Sequence, residues 1–198
     1  MESFAGKRDG RAALLRTKIL IQEIDMKETL QDIRTRRSCR KFQPRQIADD
    51  ELNAILEAGT WAPTGHGWQS PVMVAVQDKA TIEKLSKMNA AVLGTNSDPF
   101  YGAPTVVVVL ADKSRPTYRE DGSLVMGTLM LAAHAVGVAS CWIHRAREVF
   151  ETEEGKALLK SWGIEGDYAG IGHCILGYAA ENGEAPAKPR KDNYIIRV

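Results

Sequence analysis

Thr105-Val106-Val107-Val108-Val109-Leu110 is the stretch on which the reading of this chain turns. Its apolar residues run on without polar alternation, which predicts a strand covered on both faces, because a strand with one wet face alternates apolar and polar positions. Outward from it, Val72 to Val76, Val138 to Ile143, Ile171 to Tyr178 and Tyr194 to Val198 predict further strands. Helical periodicity marks Lys79 to Met88, Thr152 to Trp162, and a helix opened by Asp49-Asp50-Glu51 that ends near Gly59, with Leu52, Ile55 and Leu56 as its stripe. Lys27 to Arg36 predicts a short helix with Leu30 and Ile33 facing inward. Asp121 to Val136 is apolar nearly all round, which predicts burial in a core or an interface. Helices and strands mix without regular β-α-β alternation, so the fold class is α+β, one central sheet flanked by helices.

The chain has 198 residues, 44% hydrophobic and 26% charged, enough for one domain with its own core. A net charge of +1 offers no global attraction to nucleic acid or a membrane surface. No apolar run approaches the roughly 20 residues needed to span a bilayer. Three widely spaced cysteines, Cys39, Cys141 and Cys174, do not form a disulfide framework and suit a reducing cytoplasm. Residues 1–25 are basic and partly apolar and read as an N-terminal extension or leader, with one domain over 26–198.

Arg34 to Arg45 holds six Arg or Lys in twelve residues, with Ser38 in the middle. Forked guanidinium donors and a hydroxyl suit a phosphate. Taken alone, such a run reads first as a solvated charged face or a weak nucleic-acid patch, because charge runs are usually just solvated. A second basic pair, Lys188-Pro189-Arg190, lies near the C-terminus in a proline-stiffened loop. Between them, Trp61 to Pro71 is a shaped loop with two prolines and two glycines.

Arg36-Arg37-Ser38-Cys39-Arg40-Lys41-Phe42 resembles the first FMN-binding segment of the nitroreductase family, and the resemblance runs over about residues 27–198. It implies that Arg36 and Ser38 hold the FMN phosphate end, that Arg37 fills the adjacent contact, and that Arg40 lies near N1 and O2 of the ring. Lys188 and Arg190 match the closing phosphate clamp. The loop with Thr64, Gly65, Gly67 and Gln69 is similar to a family loop that reaches the partner's flavin, although Gly67 stands for an asparagine and Ser70 for a proline. Asn96 resembles the asparagine that reads the pyrimidine edge. Ile143, His144 and Arg145 match the strand end whose main-chain N–H groups face N5 and O4, where many members have Glu-Gly. The resemblance implies a nitroreductase-like central mixed sheet in an intertwined homodimer. It also implies FMN as cofactor, NADH or NADPH as co-substrate, and reduction of a small acceptor of nitroaromatic or quinone type by a ping-pong mechanism. Flavin N5 then carries the hydride, and no catalytic side chain is expected.

Other readings stand beside this one. Dehalogenation and oxidative flavin cleavage use the same fold, but Asn89 to Phe100 leaves little room for a long lid. A flavin store or sensor would keep the same motifs. A nucleic-acid binder using residues 34–45 would show steep salt dependence and no chromophore. Cys141-x-x-His144 and His173-Cys174 are possible zinc ligands, yet buried cysteines are commonly small core residues, and no metal site is expected. His134 reads as a core or interface histidine, and His66 as a substrate contact or a plain loop residue. Trp61, Trp68 and Trp142 read as flavin lining or core. The arginines around Cys39 are of a kind that lowers a thiol pKa, but no base partner accompanies it.

Overall fold

The valine run forms a strand of eight residues, Thr105–Asp112, of which all but Asp112 are buried. Around it, the computed structural model describes residues 28–198. The order is helix α1 (Glu28–Thr35), α2 (Asp49–Thr60), strand β1 (Pro71–Val76), α3 (Lys79–Leu93), β2 (Thr105–Asp112), α4 (Tyr118–Ala135), β3 (Ala139–Ile143), α5 (Ala146–Glu151), α6 (Glu153–Ser161) and β4 (Tyr168–Gly177). The extension expected over residues 1–25 lies outside the described residues. The chain divides into one unit ending at Arg34 and a second over Thr35–Val198, and the second holds the whole sheet.

The sheet runs β1-β2-β4-β3, and every neighbouring pair is antiparallel. The expected mixed sheet is therefore antiparallel among the named strands; parallel pairing is confined to a single bridge between Ser38 and Ser140. Sequence patterning marks a strand without stating its direction, since both directions bury the same side chains. Alternate residues of β2 feed two cores. Val106, Val108 and Leu110 pack with Leu85, Val149, Phe150 and Leu159 on the side of α3, α5 and α6. Val107 and Val109 pack with Ile55, Val125, Met126 and Leu129 on the side of α2 and α4. Fully burying a valine or leucine contributes about 1.5–3 kcal/mol, so this strand alone anchors both layers.

The helix ends follow local chemistry. Asp78 caps α3 by accepting from the Thr81 N–H at 2.8 Å, and Thr152 caps α6 by accepting from Gly155 N–H at 3.0 Å. The α3 helix stops at Gly94 in the left-handed conformation.

Three expectations change. Leu30 and Ile33 of α1 are exposed, because periodicity marks an apolar stripe without supplying a surface to cover it. Tyr194 to Val198 is exposed and forms no strand, since a strand requires a ladder partner as well as β-favouring residues. One face of α4 is buried through Val125, Met126 and Leu129, but Leu124 stands exposed, so the all-round apolar helix is only half covered by its own chain.

The position of α5 depends on a close backbone approach. A Cβ on Gly170 of β4 would stand 2.3 Å from the Ala146 carbonyl oxygen. Opposite, the ladder slips between Val109 and Leu110, which pair with Gly172 and Gly170 and leave Ile171 as the extra residue of a bulge. Gly170→Ala forces α5 away from the sheet; an unfolding free energy lowered by roughly 1–3 kcal/mol in urea titration is expected, and an unchanged midpoint would disprove the contact.

Candidate active site

The basic segment is seated at the edge of the sheet. The Cys39 N–H donates to the Ser140 carbonyl of β3 at 2.9 Å, and the Arg40 N–H donates to Gly183 at 2.9 Å. Phe42 and Cys39 bridge Ala179 and Glu184 in the chain that follows β4. The segment with Arg36, Arg37, Ser38 and Arg40 therefore lies between the outer strand and the start of the C-terminal loop, although more than 130 residues separate that segment from the loop in sequence. Arg36 Nη1 and Ser140 Oγ are both buried and have no hydrogen-bond partner. A buried, unpaired cationic donor is costly unless an anion meets it. The Arg37 guanidinium donates to the Arg36 carbonyl at 2.7 Å, tightening the turn into the segment.

At the far end of β3 the chain leaves the sheet through Ile143, His144 and Arg145. Arg145 has φ 74°, a left-handed conformation that a side chain makes unfavourable by about 1–2 kcal/mol. Asn89 of α3, fully buried, holds this turn from below. Its amide nitrogen donates to the His144 carbonyl at 2.7 Å, and its amide oxygen accepts from Arg145 Nε at 3.1 Å. Sequence reasoning passed over Asn89, which sits in a helix where an asparagine carries no signal of its own. Behind it lies His173, buried between Phe100 and Phe150 with ring centroids 5.1 and 6.0 Å away. Burial, with a smaller repulsion from Arg145, holds the His173 imidazole down to about 3, so it is neutral.

The loop Trp61 to Pro71 hangs on one carboxylate. Asp121, in the first turn of α4, is 2% exposed. It accepts from the Gly65 N–H at 2.9 Å, from Ser70 Oγ at 3.2 Å and from Thr117 Oγ1 at 3.2 Å. Gly65 permits this contact, since a Cβ there would stand 2.3 Å from Thr117 Oγ1. Thr64 Oγ1 accepts from the Gln69 N–H at 3.0 Å and closes the loop. At the tip, His66, Gly67 and Gln69 all have positive φ. The His66 and Trp68 rings stack 4.5 Å apart. Trp61 is exposed, whereas Trp142 packs against the core on the α4 side. Among the described residues no hydrogen bond joins this loop to Arg36–Arg40. Beside the Arg145 turn, Tyr118 and Arg119 of α4 share a cavity of 240 Å³ with His144 and Arg145.

Two expected members stand apart. Asn96 lines a different cavity of 660 Å³, with Gln46, Gln77 and Phe100 and with none of the other expected residues. Lys188 and Arg190 are exposed, and Arg190 donates to the Lys188 carbonyl at 2.8 Å. All three thiols are buried. Burial raises Cys39 despite its arginine neighbours and pushes Cys174 up to about 12. Among the described residues no three His, Cys, Asp or Glu gather as metal ligands, and no helix is long and apolar enough to cross a membrane.

The sequence pattern of the Nitroreductase family matches residues 33–99 and 91–178. This chain belongs to the nitroreductase family. A protein of Archaeoglobus fulgidus, provisionally named an NADH dehydrogenase/NAD(P)H nitroreductase, is 33% identical over 159 residues, covering 77% of this chain and 86% of its own. Among solved structures, a nitroreductase with bound FMN from Bacteroides fragilis superposes with a TM-score of 0.81 at 31% identity, over 87% of this chain and 100% of the other. A nitroreductase with bound FMN from Desulfitobacterium hafniense gives 0.78 at 27% identity, over 87% and 99%.

The buried His173 makes stability depend on pH. Its pKa is lowered on folding, so between about 3 and 6.5 the unfolded chain binds more protons, and stability falls as pH falls through that window. From pH 6 to pH 5 the protein should lose about 1 kcal/mol more unfolding free energy than His173→Leu does. Equal losses in both proteins by chemical denaturation would show that His173 is not neutral and buried.

Proposed function

We propose that this nitroreductase-family protein is an FMN-dependent oxidoreductase that takes hydride from NADH or NADPH and reduces a small electron-poor acceptor of nitroaromatic or quinone type by a ping-pong mechanism. The observation that carries the reading is Arg36 Nη1, a buried guanidinium nitrogen with no acceptor, next to a segment that holds Ser38 against β3. This donor set fits a phosphate. Family membership and the FMN-bound relatives support the same cofactor. The co-substrate rests on the names of the relatives.

Bound FMN supplies the hydride exchange, and the protein supplies binding, orientation and charge. Arg36, Arg37 and Ser38 hold the phosphate end, and the loop leaving Glu184 brings Lys188 and Arg190 to close it. Arg40 supplies positive charge at the N1 and O2 edge. The main-chain N–H groups of the Ile143–Arg145 turn would meet the N5 and O4 edge, and Asn89 holds that turn through the His144 carbonyl. Thr64, Gly65, Gly67 and Gln69 reach the site of a second copy. For Asn96 the family resemblance is the support, since it lines the separate cavity. Reduction of a nitro group balances as NAD(P)H plus a proton plus the nitro compound giving NAD(P)⁺, the nitroso compound and water.

A homodimer accounts for the apolar surface that one chain leaves uncovered, at Leu124 on α4 and at Tyr194, Ile195 and Ile196 in the tail. Residues 26–198 then form one flavin domain behind an N-terminal extension. Three buried, unpaired thiols suit the cytoplasm.

The purified protein is expected to show a flavin absorbance band that bleaches on anaerobic addition of NADPH or NADH and returns when a quinone or nitroaromatic is added. A band that never bleaches would make the protein a flavin store or sensor. No band after reconstitution with FMN would refute the reading. The double variant Arg36→Ala, Ser38→Ala should bind FMN at least tenfold more weakly while remaining folded, and full flavin retention would remove both residues from the site.

A further inference from the structure

The 240 Å³ cavity beside the Arg145 turn carries a charge pattern that the flavin reading does not use. Tyr118 and Trp142 give it aromatic walls, and Arg119, Arg145, Arg147 and Glu148 give it its charges. Arg147 is already answered: it meets Glu148 at 3.3 Å and Glu151 at 3.8 Å. Arg119 and Arg145 are not. Arg119 pairs with no carboxylate among the described residues; its Nε donates to the neutral Tyr118 hydroxyl at 2.9 Å. Arg145 spends Nε on the neutral Asn89 amide and keeps its two terminal nitrogens. The lining thus carries three guanidinium groups and one carboxylate, whose Oε2 is buried without a hydrogen-bond partner, a net charge of +2.

We propose, resting on the flavin reading above, that this cavity selects acceptors that carry a carboxylate on an aromatic ring, with Arg119 and Arg145 as the groups that bind it. The size and walls point to a single planar ring, since pockets for larger ligands run to about 300–1,000 Å³. The guanidinium forks point to a planar oxyanion, which they pair with through two parallel hydrogen bonds. Arg145 is held for this purpose by the same amide that fixes the left-handed turn. An acid bound here therefore lies beside the main-chain N–H groups assigned to the flavin edge. His144 and Arg145 stand where many family members have Glu-Gly, so a carboxylate is missing at the first position and a guanidinium is added at the second.

The test uses the flavin-loaded protein and two acceptors of one shape, 4-nitrobenzoate and its methyl ester. The wild-type protein is expected to favour the acid in kcat/KM. In Arg119→Ala the acid-to-ester ratio should fall on the order of tenfold, and Arg119→Lys should recover most of it. Benzoate, which cannot be reduced, serves as a binding probe in calorimetry: it should bind the wild type and bind Arg119→Ala on the order of tenfold more weakly. Equal ratios in wild type and variant, or no benzoate binding, would overturn the proposal. So would a variant that alters the NADPH-to-NADH preference and leaves the acid-to-ester ratio unchanged, because the cations would then serve a nucleotide phosphate. A protein without a flavin band or turnover of the ester refutes the flavin reading instead, and benzoate calorimetry still decides this one.

Discussion

A strand covered on both faces has to find hydrogen-bond partners on both edges and apolar cover above and below. Strand β2 imposes these demands on the rest of the molecule. Its edges are taken by β1 and β4. Its faces are taken by α3, α5 and α6 on one side and by α2 and α4 on the other. Leaving its main-chain groups unpaired in such a core would cost more than any local preference could recover. The layered architecture follows from this one requirement, and it leaves β3 at the edge of the sheet.

That edge is used along its whole length. At one end Ser140 receives the basic segment, and at the other the chain turns out through Arg145. The two ends are supported differently. Main-chain pairing to Ser140 and Gly183 sets the basic segment, so its side chains can vary without moving the backbone. The Arg145 turn is unfavourable in itself and depends on Asn89, which is packed against a neutral, fully buried histidine. A local strain of this kind persists only where surrounding contacts overdetermine it. The contacts here come from α3 and β4, elements with no part in the turn's own sequence.

The third site region obeys a similar rule. The loop ahead of β1 has three consecutive or near-consecutive residues with positive φ and a largely exposed tip. One buried carboxylate, Asp121, organises its base by taking three hydrogen bonds. An acidic residue in a first turn would also interact well with the helix dipole, but its burial shows that loop anchoring is the larger role. The loop is thereby fixed to α4, the helix that leaves an apolar flank exposed. A second copy meeting that flank would also meet the loop.

How much of this was legible in the residues alone follows from the range over which each effect acts. Patterning and turn chemistry are local, so the four sheet strands, most helices and the breaks at Gly59 and Pro71 could be read directly from the chain. The family was legible because several separated segments, the basic motif around Ser38 and the loop around Gly65 among them, occur in the family's order. Tertiary structure decided what depends on contact at a distance. It paired the strands antiparallel, left Leu30, Ile33 and the C-terminal tail uncovered, and set Asn96 apart from the other expected residues. It also brought Asn89 beneath Arg145 across 56 residues. The sequence by itself determined which residues seek burial and where the basic residues cluster along the chain. Only the folded chain decided which of them meet, because a hydrogen bond or a covered face requires a partner that sequence neighbours do not supply.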